Sequence, residues 1–380
     1  MAIKTLEPRW ILQICHGYDG PFLDCARQYA SLFIDTPYKI TTVFLTGSPD
    51  PQVELGCGSD EVFFLNYSSK QISGLKLKAI SRIRHIAHSH NFSLCISHRF
   101  KPTYIACLAT NLPVIGINHA FSVYQRRSRK IFAHFFKNRL RLLAVSNAVR
   151  DDIRHHLTSW PNTQIETLYN RINIEAIQTV QLSRNASRIA LELPPDAYIV
   201  GNVGRLHPDK DQATLIKGFA QALKDLPKKS LLVIMGSGRL EQNLKDLAHQ
   251  LKISKKVIFL GQVANGRSYF KAFDIFALSS DHEPFGMVIL EAMAAGVPII
   301  SSACGGAIEI INNVGETFPL GDSKTLATQL VAVSQLDQNQ VNATITAMDH
   351  RLRNNFSDQA ITDQFWQLPM INSLPLKIKE

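Results

Sequence analysis

The sequence predicts an α/β protein made of two doubly wound domains, each a mostly parallel sheet flanked by helices. Three observations carry this. The 380 residues suffice for two domains of ordinary size. Short apolar runs alternate with longer amphipathic stretches along much of the chain, the pattern of repeated βα units. Several of those runs end in glycine-bearing turns that lead straight into a helical stretch, and in doubly wound sheets ligands bind beyond the carboxyl ends of the strands.

In chain order, residues 10–15 read as a buried strand. His16, Gly17, Tyr18, Asp19, Gly20 and Pro21 form a glycine-rich turn, and 22–34 read as a helix with Phe22, Ala26, Tyr29, Ala30 and Phe33 on one face. Strand, glycine turn and helix start are the parts of a loop that approaches a phosphate, which makes Gly17 and Gly20 candidate binding positions. Strand-like runs recur at 40–45, 62–65, 94–97, 114–117 and 142–146, with helical patterns at 75–90, 102–110, 124–136 and 147–157. His98 and His119 each follow a strand and so belong at strand carboxyl ends. Neither has a second ligand at metal spacing.

Charge is unevenly spread. The net charge is +10, yet residues 1–190 hold 23 Lys/Arg against 12 Asp/Glu, and residues 62–150 hold fifteen Lys/Arg and no acid. A one-sided positive field of this kind implies an anionic partner, either a membrane surface or a phosphorylated substrate. Nucleic acid is not expected, because no helix-turn-helix, RNP-like or zinc-finger pattern is present. Two basic helices, 75–90 and 125–141, should turn their apolar residues (Leu75, Leu77, Ile80, Ile83 and Ile86 in the first) inward and their cations toward the partner. Each cation near an anionic surface contributes about 1 kcal/mol. The opening residues 1–9 lack the apolar core of a signal peptide, and no apolar run approaches the length of a membrane span, so the protein is expected in the cytoplasm. The six cysteines read as small reduced core residues.

The second half begins after a polar linker expected over 171–188. Residues 198–206 form a strand that ends in Gly204-Arg205, followed by His207-Pro208-Asp209-Lys210-Asp211 and a helix from about Gln212. Arg205 and Lys210 flank a tight loop at a strand end, and a diphosphate needs two such charges, one forked and one point-like. Asp209-Lys210-Asp211 also spells Asp-x-Asp, a metal-binding pattern in other folds, but Asp211 is well placed to cap the helix. Buried strands at 231–235 and 257–263 lead to turns carrying Gly236 and Val263. After a strand at 274–279, Glu283 and Glu291 stand eight residues apart, and Pro284-Phe285-Gly286 place a helix start near Gly286. Backbone N–H groups of Phe285, Gly286 and Met287 are then helix N-terminal donors suited to an anion or to hydroxyls. Two carboxylates so arranged can grip both ends of an extended polar ligand. Gly296 and Pro298 stop the helix. A strand at 298–302, a Gly305-Gly306 loop and a last helix at 358–368 complete the chain.

The run from Glu283 to Pro298, with Pro-Phe-Gly after the first glutamate and Glu291-Ala292-Met293-Ala294-x-Gly296-x-Pro298 around the second, resembles the signature of glycosyltransferase family 4. These are retaining, nucleotide-sugar-dependent enzymes of the GT-B fold, two Rossmann-like domains facing an inter-domain cleft. Gly204-Arg205-Leu206-x-x-x-Lys210 is similar to the family's diphosphate-holding segment. Asn170-Arg171-Ile172-Asn173 resembles its Asn-Gly-Ile/Val-Asp, with Arg171 where the family has glycine. The resemblance implies that Arg205 and Lys210 stabilise the leaving diphosphate, that Glu283 and the backbone at Phe285, Gly286 and Met287 orient the sugar, and that Glu291 holds the ribose. It further implies that His119 approaches the sugar, and that Gly17, Gly20, Gly204, Gly236 and Val263 line the nucleotide-sugar. It also implies domains at 1–180 (basic, acceptor side) and 188–360 (donor side), with 361–380 returning to the first.

The function so implied is transfer of a hexose-type sugar from a nucleotide-diphosphate sugar to a hydroxyl of a glycan or glycolipid, with retention and with neither metal nor cofactor. The opening motifs His16-Gly17-Tyr18, Phe22-Leu23-Asp24 and Arg27-Gln28-Tyr29-Ala30 look similar to core-lipopolysaccharide glycosyltransferases. That favours a phosphorylated acceptor in lipopolysaccharide core assembly and peripheral contact with the inner face of the cell membrane. A nucleotide-sugar epimerase and a catalytically silent nucleotide-sugar-binding protein on the same fold are the alternatives.

Overall fold

The computed structural model describes residues 8–20, 22–374 and 376. Most of the opening stretch read for a leader, Pro21 of the first turn, and residues 375 and 377–380 lie outside the described residues. The chain divides into two compact units, one of residues up to Asn170 together with those from Ile361 onward, the other Arg171–Ala360.

The first unit is built on seven parallel strands: β1 (Arg9–Cys15), β2 (Tyr38–Phe44), β3 (Glu61–Phe64), β4 (Phe92–His98), β5 (Val114–Asn118), β6 (Leu140–Ala144) and β7 (Ile165–Thr167). Their order is β3-β2-β1-β4-β5-β6-β7. The central strand β1 is buried from Trp10 to Cys15, as a parallel strand covered on both faces must be, and this explains its near-continuous apolar run. Strand order reverses between β1 and β4, where helices on opposite faces diverge and leave a crevice at the carboxyl ends.

The second unit has six parallel strands: β8 (Tyr198–Val203), β9 (Ser230–Met235), β10 (Val257–Gly261), β11 (Ile275–Leu278), β12 (Ile299–Ser302) and β13 (Glu316–Phe318). Their order is β10-β9-β8-β11-β12-β13, so here the reversal falls between β8 and β11. Gly201 in mid-β8 has a packing reason, because a Cβ there would meet the Phe273 ring at 2.2 Å. The helix Met287–Ala294 follows Gly286 at φ +111° and gives way to Gly296 at φ +68°, both in the left-handed region that favours glycine.

The expected linker at 171–188 is instead structured. Helices Ile174–Val180 and Arg184–Ala190 occupy it, capped by Asn173 and Ser183, whose side chains accept from the N–H groups of Ala176 and Ala186. Arg171 and Arg188, the bounds of the stretch, are among the most buried side chains of the described residues. Arg171 pairs with Asp358 at 2.8 Å and Arg188 with Asp274 at 2.8 Å.

The basic helices also differ from expectation. In Leu77–Ile86 the residues Ile80, Ile83 and Ile86 face inward, but Leu75 and Leu77 are each 68% exposed. In Arg127–Phe136 only Ala133 is fully buried; Phe132 packs against Phe100, Tyr104 and Phe136, while Ile131 and Phe135 are 70% and 79% exposed. Both helices present apolar residues outward among their cations.

Candidate functional site

In the second unit, the loops after β8 and β11 flank the reversal of strand order and are tied together. Ser279 Oγ donates to the Lys210 carbonyl at 2.9 Å, and the Asp281 N–H donates to the Asp209 carbonyl at 3.1 Å. This stitching brings Lys210 Nζ to 2.6 Å from Glu283 Oε2, a charge-assisted bond between two largely buried side chains. Ser280 Oγ donates to the same oxygen at 3.2 Å, and the Glu283 carbonyl accepts from the Gly306 N–H at 2.9 Å. The second glycine of the Gly305-Gly306 pair is needed for this approach, since a Cβ on Gly306 would lie 2.7 Å from the Phe285 backbone.

Arg205 is held differently. Its side chain is 70% exposed and donates to Asp209 Oδ2 at 3.2 Å, while His207 Nδ1 lies 2.5 Å from Asp209 Oδ1. Asp209 therefore serves as counterion to its own loop. Asp211 sits at φ +39° and caps the helix Gln212–Ala222 by accepting from the Thr214 N–H at 3.3 Å. Asp209 is thus engaged by Arg205 and the His207 ring, and Asp211 by a helix cap.

Gly204, Gly236 and Val263 fall at three neighbouring strand ends. The Gly204 N–H donates to the Met235 carbonyl at 2.9 Å and the Gly236 N–H to Gly261 at 2.7 Å. A Cβ on Gly236, which has φ +137°, would stand 1.9 Å from the Gly204 carbonyl oxygen, so the crossing of these loops admits only glycine. Val263 is half-buried just past β10. The Phe285 ring is buried edge-on to Phe356, which leaves backbone as what this residue offers a ligand. Gly286 precedes the helix and Met287 is its first residue; no side chain caps this end, and the Ile289 N–H donates to the Gly286 carbonyl at 2.9 Å, so the donors suited to a ligand are the N–H groups ahead of Ile289. Glu291 is half-buried, its Oε1 3.7 Å from Arg267 Nε.

In the first unit the corresponding reversal point collects Gly17, Gly20, His98 and His119. Gly17 lies against the loop after β2, where a Cβ would meet Thr46 Oγ1 at 2.5 Å, and Gly20 has φ +60°. His98 is buried and His119 half-buried, and their rings stack at 5.5 Å between centroids with Nδ1 of His98 3.3 Å from Nε2 of His119. Burial, the His119 ring and the Arg99 guanidinium push the His98 pKa well below its ordinary value. Burial and Arg99 lower that of His119 as well. Tyr29 meets the His98 ring edge-on and Phe22 meets that of His119.

Sequence reasoning noted Asp209 only as part of the Asp-x-Asp string, and it missed Gln13 and Arg99. Gln13 carried a signal, a polar side chain in the middle of a buried apolar strand. Arg99 follows β4 at φ +75°, a conformation uncommon outside glycine, and its guanidinium lies 3.7 Å from the Phe22 ring centroid. Nothing in its sequence neighbourhood announced that conformation.

Comparison with known proteins adds to this geometry. A family model described as Glycosyltransferase Family 4 matches residues 38–176, and one described as Glycosyl transferases group 1 matches residues 183–358. An uncharacterized glycosyltransferase of Methanocaldococcus jannaschii is 34% identical over 178 residues, 45% of this chain and 44% of the relative. The lipopolysaccharide core biosynthesis glycosyltransferase LpsE of Rhizobium meliloti is 33% identical over 184 residues, 48% of this chain and 52% of the relative. The chain thus spans about half the length of the curated relatives it matches. Among solved structures, Anabaena HepE in complex with UDP and glucose superposes with a TM-score of 0.77 at 19% identity, covering 93% of this chain and 98% of that one, a likeness of fold.

Proposed function

We propose, for a chain that belongs to glycosyltransferase family 4 and has the two Rossmann-like units of the GT-B fold, that it transfers a hexose-type sugar from a nucleotide-diphosphate sugar to a glycan or glycolipid hydroxyl with retention. The observation that carries this reading is the convergence of Arg205, Lys210 and Glu283 on the reversal point of the second sheet, with Lys210 2.6 Å from Glu283. As the bond from the anomeric carbon to the diphosphate breaks, negative charge grows on the departing phosphate, and Arg205 and Lys210 offset it. The acceptor oxygen bonds to the anomeric carbon from the face the phosphate leaves, and the phosphate takes the acceptor proton. Glu283 and the backbone at Phe285, Gly286 and Met287 orient sugar hydroxyls and Glu291 binds the ribose; on the first unit by itself, His119 is the group offered to a sugar hydroxyl. In this reading the two cations do the work that a metal does elsewhere.

HepE's bound UDP and glucose make UDP-glucose the first donor to test. Thermal shift with UDP-, GDP-, ADP- and CMP-sugars in EDTA should single out one base. At about 100 times the dissociation constant it should stabilise the protein by about 2.7 kcal/mol. A flat response across all donors would overturn the reading, and a response that needs added metal would overturn its metal-free form.

The acceptor we propose is a phosphorylated core glycolipid at the inner face of the membrane, a reading supported by the Rhizobium relative's role in lipopolysaccharide core biosynthesis and by the surface of the first unit. Among the described residues no helix is long and apolar enough to cross a membrane. Leu75, Leu77, Ile131 and Phe135 are nevertheless exposed beside Lys76, Lys78, Arg127 and Lys130, the mixture of apolar and cationic groups that lies in a headgroup layer. The protein should sediment with phosphatidylglycerol vesicles at low salt and be released as salt rises. The double variant Ile131→Ser, Phe135→Ser should bind about tenfold more weakly, since each buried apolar side chain contributes about 1.5–3 kcal/mol when fully buried and less when partly so. Failure of the unaltered protein to bind at low salt removes the membrane from the reading.

A further inference from the structure

The histidine pair at the ends of β4 and β5 terminates a chain of hydrogen bonds whose polarity can be worked out from its fixed end. Gln13 Nε2 lies 3.1 Å from the Ala26 carbonyl oxygen and 2.9 Å from Thr42 Oγ1. A carbonyl only accepts, so the atom facing Ala26 is the amide nitrogen. The Gln13 Oε1 then points the other way, 3.3 Å from His98 Nε2. An amide oxygen also only accepts, so His98 donates from Nε2. His98 is 2% exposed and stands beside the Arg99 cation, an environment that keeps its ring neutral. A neutral imidazole protonated at Nε2 carries a lone pair at Nδ1, and that lone pair faces His119 Nε2 at 3.3 Å. His119 must therefore donate from Nε2, and its remaining lone pair sits at Nδ1. The edge-on rings of Tyr29 and Phe22 hold both imidazoles in the orientation this chain requires.

We propose that Gln13 and His98 are positioning residues that fix the tautomer of His119, so that its Nδ1 is a hydrogen-bond acceptor reserved for a substrate hydroxyl. A phosphate or carboxylate oxygen would meet that lone pair with one of its own. The group recognised is the O–H of a neutral sugar, carried either by the donor hexose or by the acceptor glycan. The identity of the carrier rests on the glycosyltransferase reading. The tautomer is a property of the first unit alone.

The test begins without ligand. Long-range proton–nitrogen correlation spectra of the 15N-labelled full chain near neutral pH should show His119 protonated at Nε2 and bare at Nδ1. His98→Gln, whose amide oxygen can accept from His119, should preserve that state, whereas His98→Phe should release His119 into a mixture of tautomers. An Nδ1–H or an imidazolium at His119 in the unaltered protein, or no change in His98→Phe, overturns the proposal. UDP-glucose and UDP are then titrated calorimetrically into the unaltered protein and both variants, and turnover is followed on a truncated lipopolysaccharide core. Affinity for UDP-glucose that falls about 3- to 10-fold relative to UDP in His98→Phe, and returns in His98→Gln, assigns the hydroxyl to the donor sugar. Unchanged affinities with turnover lowered severalfold in His98→Phe and restored in His98→Gln assign it to the acceptor. Unchanged affinity and turnover in His98→Phe overturn the positioning role. Where another base proves to be the donor's, its sugar and free diphosphate replace UDP-glucose and UDP in these titrations; an unaltered protein with the expected tautomer that binds none of the UDP-, GDP-, ADP- and CMP-sugars sinks the glycosyltransferase reading and not the tautomer relay.

Discussion

Replacing Lys210 with alanine should lower sugar transfer by about 10²–10³-fold, the loss that follows removal of one preorganised charge-stabilising donor from a shielded site. The magnitude comes from the environment. Lys210 Nζ sits 2.6 Å from Glu283 Oε2, and the two side chains are 18% and 9% exposed, so little water screens what the ammonium does for a neighbouring phosphate. Arg205, 70% exposed and already shared with Asp209, works in a wetter setting. Its alanine variant should lose less, by about tenfold. Lys210→Arg is not a conservative rescue, because a planar fork does not fit a space shaped for a point charge next to Glu283. Removing Lys210 also strands a buried carboxylate, so turnover should be compared well below the melting midpoint of each variant. Lys210→Ala that is folded at the assay temperature and keeps more than a tenth of the original turnover would remove Lys210 from the diphosphate site.

That such a prediction can be framed from the donor-side residues reflects what local sequence encodes. Alternating apolar runs and amphipathic stretches dictate parallel βα units, and the reversal of strand order in each sheet then gathers particular loops: those after β1, β4 and β5 in the first, those after β8 and β11 in the second. Gly204-Arg205, Lys210 and Glu283-Pro284-Phe285-Gly286 announce themselves because tight turns and helix starts need special residues at short spacing. Partnerships across long sequence separation leave no such trace. Lys210 and Glu283 were each legible as ligand-binding candidates, but nothing in the chain indicated that these residues, 73 positions apart, close to a direct ion pair. The same holds for Gln13 and His98, 85 positions apart, and for Arg171 and Asp358, 187 apart. Periodicity likewise groups residues by helix face without saying where the neighbouring layer ends. Ile80, Ile83 and Ile86 reach cover, whereas Leu75 and Leu77, on or just before the helix's first residue, extend beyond it.

The stretch read as a polar linker supplies the test of this point on stability. Arg188→Ala should destabilise the second unit by about 3–5 kcal/mol, because it empties a fully buried guanidinium site, strands the carbonyls that site satisfies, and leaves Asp274 with the more exposed Arg184 in place of two cations. The Arg188 guanidinium has no exposed surface and donates to Asp274 Oδ2 at 2.8 Å, to the carbonyls of Pro195 and Ala197 at 2.8 Å, and to that of Ala272 at 3.0 Å. Asp274 in turn accepts from the Ile199 N–H at the start of β8. One side chain thus ties the helix Arg184–Ala190 to the approaches of β8 and β11, the two strands between which the order of the second sheet reverses. For a unit of this size, a loss of that magnitude corresponds to a fall in melting midpoint of roughly 10 °C. A double replacement, Arg188→Met with Asp274→Leu, should restore part of it, since no buried charge is then left alone, although Arg184, 2.8 Å from Asp274, loses its partner as well. Calorimetry decides between the two views of residues 171–188. A mobile polar connector would tolerate Arg188→Ala with a shift under about 2 °C, while a shift near 10 °C, accompanied by weakened donor binding, would establish that this segment holds the strands on which Lys210 and Glu283 are mounted.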